Sequence, residues 1–160
     1  SWEELRREYH ERGIWKRAFE EVDYQAIFRP EVLEVMDELK AMGIRLAVAS
    51  STGLEQVKRI LTMNHVWERL ETAVSGEMFK RSKPDPEIYL HTAAQLRVDP
   101  SQCLAIEDST VGITAGKAAG MKAAALIDDR FGFDRSLADR ELGDLREIPA
   151  LVRSLMEPEA

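Results

Sequence analysis

The stretch that decides the fold is residues 103–127, which read CLAIEDSTVGITAGKAAGMKAAALI. A short apolar segment, Cys103–Ile106, is followed by two acids and by a run of small residues that stops at Gly120. A second apolar segment, Lys122–Ile127, follows directly. Two strand-length apolar segments on either side of a helix-length stretch indicate a strand, a crossover helix and a second, parallel strand.

The alternation of strand-like and helix-like segments continues on both sides of this unit. A buried-strand pattern covers Ile44–Ala49, and a weaker one covers Glu71–Val74. Helical patterns follow both, and a helix with one apolar face precedes the first strand and ends at Gly43. Downstream, Ala138–Leu142 is a candidate edge strand, and a final helix follows it. We therefore predict an α/β fold, with a Rossmann-like parallel sheet and flanking helices.

Composition and charge exclude several functional classes. Of the 160 residues 44% are hydrophobic, and 22 basic against 29 acidic side chains give a net charge of −7. This charge argues against non-specific binding to nucleic acid or anionic lipid. The single cysteine, Cys103, excludes an internal disulfide and a cysteine-rich zinc site, as is typical of a reducing compartment. No apolar run is long enough to span a bilayer, so we expect a cytoplasmic protein with no nucleic-acid or membrane partner.

Hydroxyl residues follow the first predicted strand. Ser50, Ser51 and Thr52 come directly after its apolar run and ahead of a predicted helix. Ligands of parallel sheets bind at the carboxyl ends of strands, and backbone amides ahead of a helix attract phosphate. Ser and Thr are also common helix caps, so on their own these residues leave both interpretations open.

Adjacent carboxylates follow the strand of the deciding stretch. Glu107 and Asp108 repel each other and lose hydration at a strand end, and a divalent cation relieves both effects. Oxygen ligands of this kind suit Mg²⁺, which binds one or two carboxylates together with water and substrate phosphate. The alternative is that Asp108 or Ser109 only caps the next helix.

A lysine lies in the loop between the hydroxyl residues and the acidic pair. Lys83 precedes Pro84, which favours an extended backbone and directs the lysine side chain away from the following helix. Its ammonium group can balance the charges of a phosphate and of a carboxylate nucleophile. Taken alone, a solvated surface lysine is the simpler interpretation.

In this order the segments resemble the haloacid dehalogenase-like superfamily, in particular its β-phosphoglucomutase-like phosphatase and phosphomutase branch. The matching segments are Leu46–Thr52, Lys83–Tyr89 and Ile106–Ile113, and the likeness covers nearly all of residues 26–157. Three motifs in the correct order and spacing outweigh the separate interpretations as caps or surface charges. The resemblance implies a haloacid dehalogenase-like core with the remnant of a helical cap.

The resemblance also implies a role for each matching residue. Ser50 corresponds to the hydroxyl that binds the transferring phosphoryl group, assisted by the backbone amides of Ser51–Thr52. Lys83 corresponds to the lysine that balances charge on the nucleophile and the phosphoryl group. Glu107 and Asp108 correspond to the acidic pair that holds the Mg²⁺ cofactor, directly or through water.

One motif of the family has no counterpart here. The family carries Asp-x-Asp, with the nucleophile and the general acid/base, on a first core strand, and no such segment precedes Ser50. That strand lies between the strands that end at Ser50 and near Glu107, so without it backbone groups would stay unpaired. We therefore expect an N-terminal segment to be missing. Residues 1–25 are then the end of the cap, residues 26–160 are a core without its first strand, and the 160-residue chain alone is inactive.

Hydrolysis of a small phosphorylated metabolite, a sugar phosphate in particular, is the activity that the resemblance implies. The family splits phosphoryl transfer into two steps through an aspartyl-phosphate. Alternatives are a β-phosphoglucomutase-type phosphomutase and an inactive fragment that only binds phosphate and Mg²⁺. A receiver-like phospho-acceptor domain is disfavoured by the Lys83–Pro84 turn. A dinucleotide-binding domain is disfavoured because no Gly-x-Gly-x-x-Gly follows a strand.

Overall fold

The computed structural model describes residues 22–157 together with Glu4 and Arg7. Strands and helices alternate along residues 22–157, whereas most of the predicted cap remnant, residues 1–25, lies outside the described residues. The strands are β1 (Ala47–Ser50), β2 (Thr72–Ser75), β3 (Leu104–Glu107), β4 (Lys122–Leu126) and β5 (Arg140–Leu142). The helices are α1 (Glu31–Ala41), α2 (Leu54–Met63), α3 (Glu87–Leu96), α4 (Thr110–Ala118) and α5 (Ile148–Met156).

The described strands form two parallel sheets. β1 pairs with β2 from Ala47 opposite Thr72 to Ser50 opposite Ser75. The second sheet has the order β3-β4-β5, and both of its strand pairs are parallel. The predicted parallel α/β architecture is confirmed, and the candidate edge strand Ala138–Leu142 forms as the shorter β5 at the edge of the second sheet.

Helices cover both faces of the sheets. α3 packs on β1 and β2, α4 packs on β3 and β4, and α3 contacts α4, so this helix pair joins the two sheets on one face. Their buried core contains Val74, Ile88, Tyr89, Ala93, Ala105, Ala115, Ala119 and Met121. α1 and α5 cover the opposite face, with a core of Val35, Leu39, Ala124, Leu142, Ile148, Leu151 and Val152. Within residues 22–157, no helix has the length and hydrophobicity needed to cross a membrane.

Small side chains bring α4 close to its sheet. A Cβ at Gly116 would lie 3.1 Å from the Cβ of Ala105 on β3, a closer approach than most side chains tolerate. The three central residues of β4, Ala123–Ala125, are completely buried. This close packing fixes the end of β3, where the acidic pair lies, against the first turn of α4.

Candidate functional site

A cleft of about 1150 Å³ separates β1 from β3. Every residue of both strands lines it, and no strand in residues 22–157 pairs with the edge that either of them turns toward it. The predicted site residues lie together at the carboxyl end of this cleft. Its lining includes all six of them: Ser50, Ser51, Thr52, Lys83, Glu107 and Asp108.

The hydroxyl residues after β1 do not cap the helix that follows. The Ser50 hydroxyl accepts a hydrogen bond from the Thr52 amide at 3.1 Å, which folds the loop back on itself. α2 has Gly53 at its N-cap position and no side chain that caps it from there. Its first amide, Leu54 N, instead donates to the carboxylate of Glu77 at 3.3 Å. The structure therefore does not support an ordinary capping role for the serine and threonine side chains.

Lys83 connects the two walls of the cleft. Its Nζ donates to the carbonyl oxygen of Ala49 on β1 at 3.2 Å and to the carboxylate of Glu107 on β3. The side chains of Lys83 and Glu107 are each only 10% exposed. Lys83 is thus a buried lysine paired with a carboxylate, and the interpretation as a solvated surface lysine is wrong. The peptide bond that joins it to Pro84 is cis.

The carboxylate of Glu107 rests on the first turn of α4. A Cβ at Gly112 would overlap with this carboxylate, so only glycine leaves room for it there. The helix dipole and the first amides of α4 favour a negative charge at this position. Ser109 caps α4, because its hydroxyl accepts from the Gly112 amide at 3.2 Å. The capping alternative is therefore correct for Ser109, and it leaves Asp108 for another role.

Glu107 and Asp108 provide a donor set that fits Mg²⁺. Asp108 is exposed, and its carboxylate forms no hydrogen bond or ion pair with a described residue. Within residues 22–157, no group of three or more His, Cys, Asp and Glu side chains is placed to hold a metal ion. Two carboxylates still suit Mg²⁺, since it commonly keeps several waters and binds substrate phosphate as well.

Tyr89 belongs to this cluster, although the sequence predicted no role for it. Its hydroxyl donates to Glu107 Oε1 and lies 3.4 Å from Lys83 Nζ, which also sits 4.7 Å from the centre of the ring. Burial, and then the charge of Glu107, raise the pKa of Tyr89 well above its usual value, so the hydroxyl remains a donor at neutral pH. The signal in the sequence that could have indicated a role for Tyr89 is the residue type itself, because a buried tyrosine hydroxyl needs a hydrogen-bond partner.

The chain is similar to known proteins over most of its length. Residues 3–126 match the family model of the haloacid dehalogenase-like hydrolases. Hexitol phosphatase B of Escherichia coli K12 is 36% identical over 151 residues, which cover 91% of this chain and 66% of that protein. Phosphorylated carbohydrates phosphatase of Thermotoga maritima is 34% identical over 122 residues, covering 76% and 54%.

A solved structure supports the same assignment. The crystal structure of CbbY from Rhodobacter sphaeroides in complex with phosphate matches with a TM-score of 0.68 and 32% identity, over 75% of this chain and 55% of that one. The chain therefore spans at most 66% of the length of these three proteins. Since the family match covers well over half of its residues, the chain belongs to the haloacid dehalogenase-like hydrolase family, as a homologue of its hexitol phosphatase, CbbY and β-phosphoglucomutase-like members.

Proposed function

We propose that this protein is a Mg²⁺-dependent phosphatase that acts on a small phosphorylated metabolite, namely a sugar phosphate. The observation that carries this proposal is that three groups line one cleft. These groups are the loop that begins at Ser50, the side chain of Lys83, and the acidic pair Glu107–Asp108. Two relatives, hexitol phosphatase B and phosphorylated carbohydrates phosphatase, are phosphatases by name, and the second name specifies carbohydrate substrates. CbbY, which was crystallised with phosphate, supports a phosphate ligand for the cleft.

The hydroxyl loop binds the phosphoryl group in this proposal. Because the Ser50 oxygen already accepts from Thr52 N, its own proton is available for a phosphoryl oxygen. The backbone amide of Ser51 adds a further donor, whereas that of Thr52 is used by the Ser50 oxygen. Lys83 neutralises negative charge as it builds up on the transferring group, in a setting with little water to screen it.

Glu107 and Asp108 are the residues that would hold Mg²⁺. When bound, the ion neutralises phosphate charge and helps to orient the group for in-line displacement. Lys83 and Tyr89 both engage one oxygen of Glu107, and this restrains the carboxylate in one orientation. Asp108, which lacks such partners among the described residues, is free to turn toward the ion.

We propose that a further parallel strand, which carries a nucleophilic aspartate, occupies the cleft between β1 and β3. The unpaired facing edges of the two strands support this placement, because buried backbone donors and acceptors require partners. The aspartate oxygen forms a bond to phosphorus as the bond to the sugar oxygen breaks, and the general acid/base aspartate of the same strand gives its proton to that oxygen, so that the sugar leaves as an alcohol. Water then attacks the aspartyl-phosphate and releases inorganic phosphate. Residues 1–25 are the end of a helical cap in this arrangement, and residues 26–160 form the rest of the core.

Phosphate release from a panel of phosphosugars tests the proposed activity. The full natural protein with Mg²⁺ is expected to hydrolyse at least one of them, and Lys83→Ala is expected to lower kcat by about a hundredfold or more. Lys80→Ala is the matched control, since Lys80 is exposed in the same loop. The proposal fails if no phosphosugar is hydrolysed, or if Lys83→Ala is as active as Lys80→Ala. Interconversion of phosphosugars without phosphate release would favour a phosphomutase.

A further inference from the structure

The segment after β2 packs against the loop that precedes α2. We call Ser75–Glu77 the β2 tail and Ser50–Gly53 the phosphate loop. Ser75 is completely buried, and its hydroxyl donates to the carbonyl oxygen of Thr52 at 2.8 Å. The same hydroxyl accepts from the Glu77 amide at 3.2 Å. The first hydrogen bond therefore joins the tail to the loop, and the second one folds the tail back on Ser75.

The second contact is between backbones. A Cβ at Gly76 would lie 3.2 Å from the Cα of Ser51, and backbone atoms there have little freedom to move away. The two chain segments thus lie closer together than a side chain at Gly76 would readily allow. This contact restrains Ser51, whose amide is a proposed donor to the phosphate.

The third contact involves the side chain of Glu77. Its carboxylate accepts from Leu54 N at 3.3 Å and fills the space that a Cβ at Gly53 would need. The tail therefore touches the chain at Ser51, at Thr52 and at the junction of Gly53 with α2. After Ser50, every residue of the phosphate loop is in contact with the β2 tail.

The negative charge of Glu77 separates two possible effects of this residue, repulsion of the phosphate and positioning of the phosphate loop. A carboxylate beside a phosphate site repels the phosphate, and because Glu77 is exposed, solvent screens this repulsion only in part. We propose that Ser75 and Glu77 are positioning residues, which hold the phosphate loop in its binding conformation and so strengthen phosphate binding despite that repulsion. This inference rests on the proposed function, because it takes the loop to be the phosphate site.

Phosphate affinity and amide hydrogen exchange test the inference in the full natural protein with Mg²⁺. Ser75→Ala is expected to weaken binding of inorganic phosphate about fivefold in calorimetry and to speed exchange of the amides at 51–54. Glu77→Ala is expected to do the same, although simple repulsion predicts tighter binding. Glu77→Gln keeps an oxygen that accepts from Leu54 N, so its phosphate affinity should equal or exceed that of the wild type.

Glu55→Ala is the matched control, because Glu55 is an exposed acid in the first turn of the same helix. It removes an equal charge, and we expect unchanged or tighter phosphate binding with unchanged amide exchange. Amide exchange rates in β3 and β4 of each variant that equal those of the wild type show that the variant is folded. The inference is overturned if Ser75→Ala and Glu77→Ala alter neither amide exchange nor phosphate affinity, or if Glu77→Ala tightens phosphate binding. In either case, phosphate binding by the wild-type protein would still support the proposed function. A wild-type protein that neither binds nor releases phosphate contradicts both.

Discussion

Tyr89 shows how one side chain can join two charged groups of a site. Its ring lies beside the Lys83 ammonium and its hydroxyl donates to Glu107, so the lysine, the tyrosine and the glutamate form a closed triangle. Because burial raises the pKa of the hydroxyl, Tyr89 keeps its proton across the neutral range. The glutamate oxygen is therefore held by two donors, and its orientation does not depend on a bound ion.

Removal of the Tyr89 hydroxyl tests this arrangement. Tyr89→Phe keeps the ring beside Lys83 but loses the hydrogen bond to Glu107, so we expect kcat to fall about tenfold, the usual effect of a lost bond to a charged group. The Mg²⁺ concentration for half-maximal activity should rise in the same variant. Tyr24→Phe is the control, since Tyr24 lies at the other end of α2, where its backbone carbonyl accepts from the Asn64 side chain. If Tyr89→Phe matches this control in both quantities, Tyr89 only fills space.

Sequence motifs pointed to candidate site residues whose chemical type is itself informative. Ser50, Lys83 and the acidic pair stand at strand ends or next to a proline, where local pattern and resemblance both apply. The roles of Tyr89 and Glu77 depend on partners 18 and 23 positions away. No local pattern encodes such a contact, so a tyrosine in a helix and an acid in a turn predict only packing and solubility.

At the scale of elements, α4 depends on a glycine in its first turns. Helix propensity alone predicts that Gly112→Ala stabilises the protein by about 1 kcal/mol. The added Cβ would overlap with the Glu107 carboxylate, so we expect kcat to fall at least tenfold and no gain in the free energy of unfolding. Gly132→Ala is the control, because nothing lies near a Cβ there. A stabilised and fully active Gly112→Ala protein would show that Glu107 does not need this position.

Asp139 ties α4 to the second sheet. Its carboxylate accepts from the buried Ala123 amide at 2.7 Å and pairs with Lys117 Nζ at 2.8 Å. Because Asp139→Ala leaves that amide without this partner, we expect a loss of about 1–2 kcal/mol in the free energy of unfolding at pH 7. Asp134→Ala, in an exposed loop, should cost less than about 0.5 kcal/mol. Equal stability of the two variants would contradict the structural role of Asp139.

The pH dependence of this contribution follows from the pKa of Asp139. The hydrogen bond from Lys117, followed by that from the Ala123 amide, lowers this pKa below its ordinary value. A carboxyl whose pKa is lower when folded stabilises the fold above its unfolded pKa of about 3.9, and this stabilisation is lost as pH falls through the lower, folded value. In urea titrations, the difference between wild type and Asp139→Ala should therefore be constant from neutral pH to about pH 5 and shrink in stronger acid. A difference that grows on acidification would show the opposite sign.

The ends of the elements were predicted less well than their order. The apolar run Ile44–Ala49 predicted the first strand, but the ladder begins at Ala47 and extends to Ser50. Ile44 N donates to the carbonyl of Leu39, so the start of the run closes α1 instead of pairing with β2. Hydrophobicity marks which residues are buried, whereas a strand boundary depends on the neighbour with which the backbone pairs.

At the scale of the molecule, the two sheets are held together by helices and by one lysine. α3 and α4 contact each other across the boundary between the sheets. Lys83 joins Ala49 on β1 to Glu107 on β3 at the carboxyl end of the cleft. The alternation of segments predicted the parallel α/β fold, which the structure and the family match confirm. The expectation of a further strand came from the family resemblance instead, and it stays a prediction.

A cleft along two strand edges predicts weak stability for the 160-residue chain by itself. Unpaired backbone groups and apolar walls in the cleft cost free energy, so residues 1–160 expressed alone should show no cooperative thermal transition and release no phosphate. Circular dichroism on heating and a phosphate-release assay check these outcomes. A 160-residue chain with a mass near 18 kDa that unfolds cooperatively would contradict this prediction.

A crystal structure of the full natural protein with Mg²⁺ and inorganic phosphate tests the fold and the site together. We expect phosphate between the Ser50 hydroxyl and Lys83 Nζ, Mg²⁺ on the side of Glu107 and Asp108, and a parallel strand hydrogen-bonded to both β1 and β3. Direct pairing of β1 with β3, or phosphate bound away from Ser50 and Lys83, would contradict the proposed site.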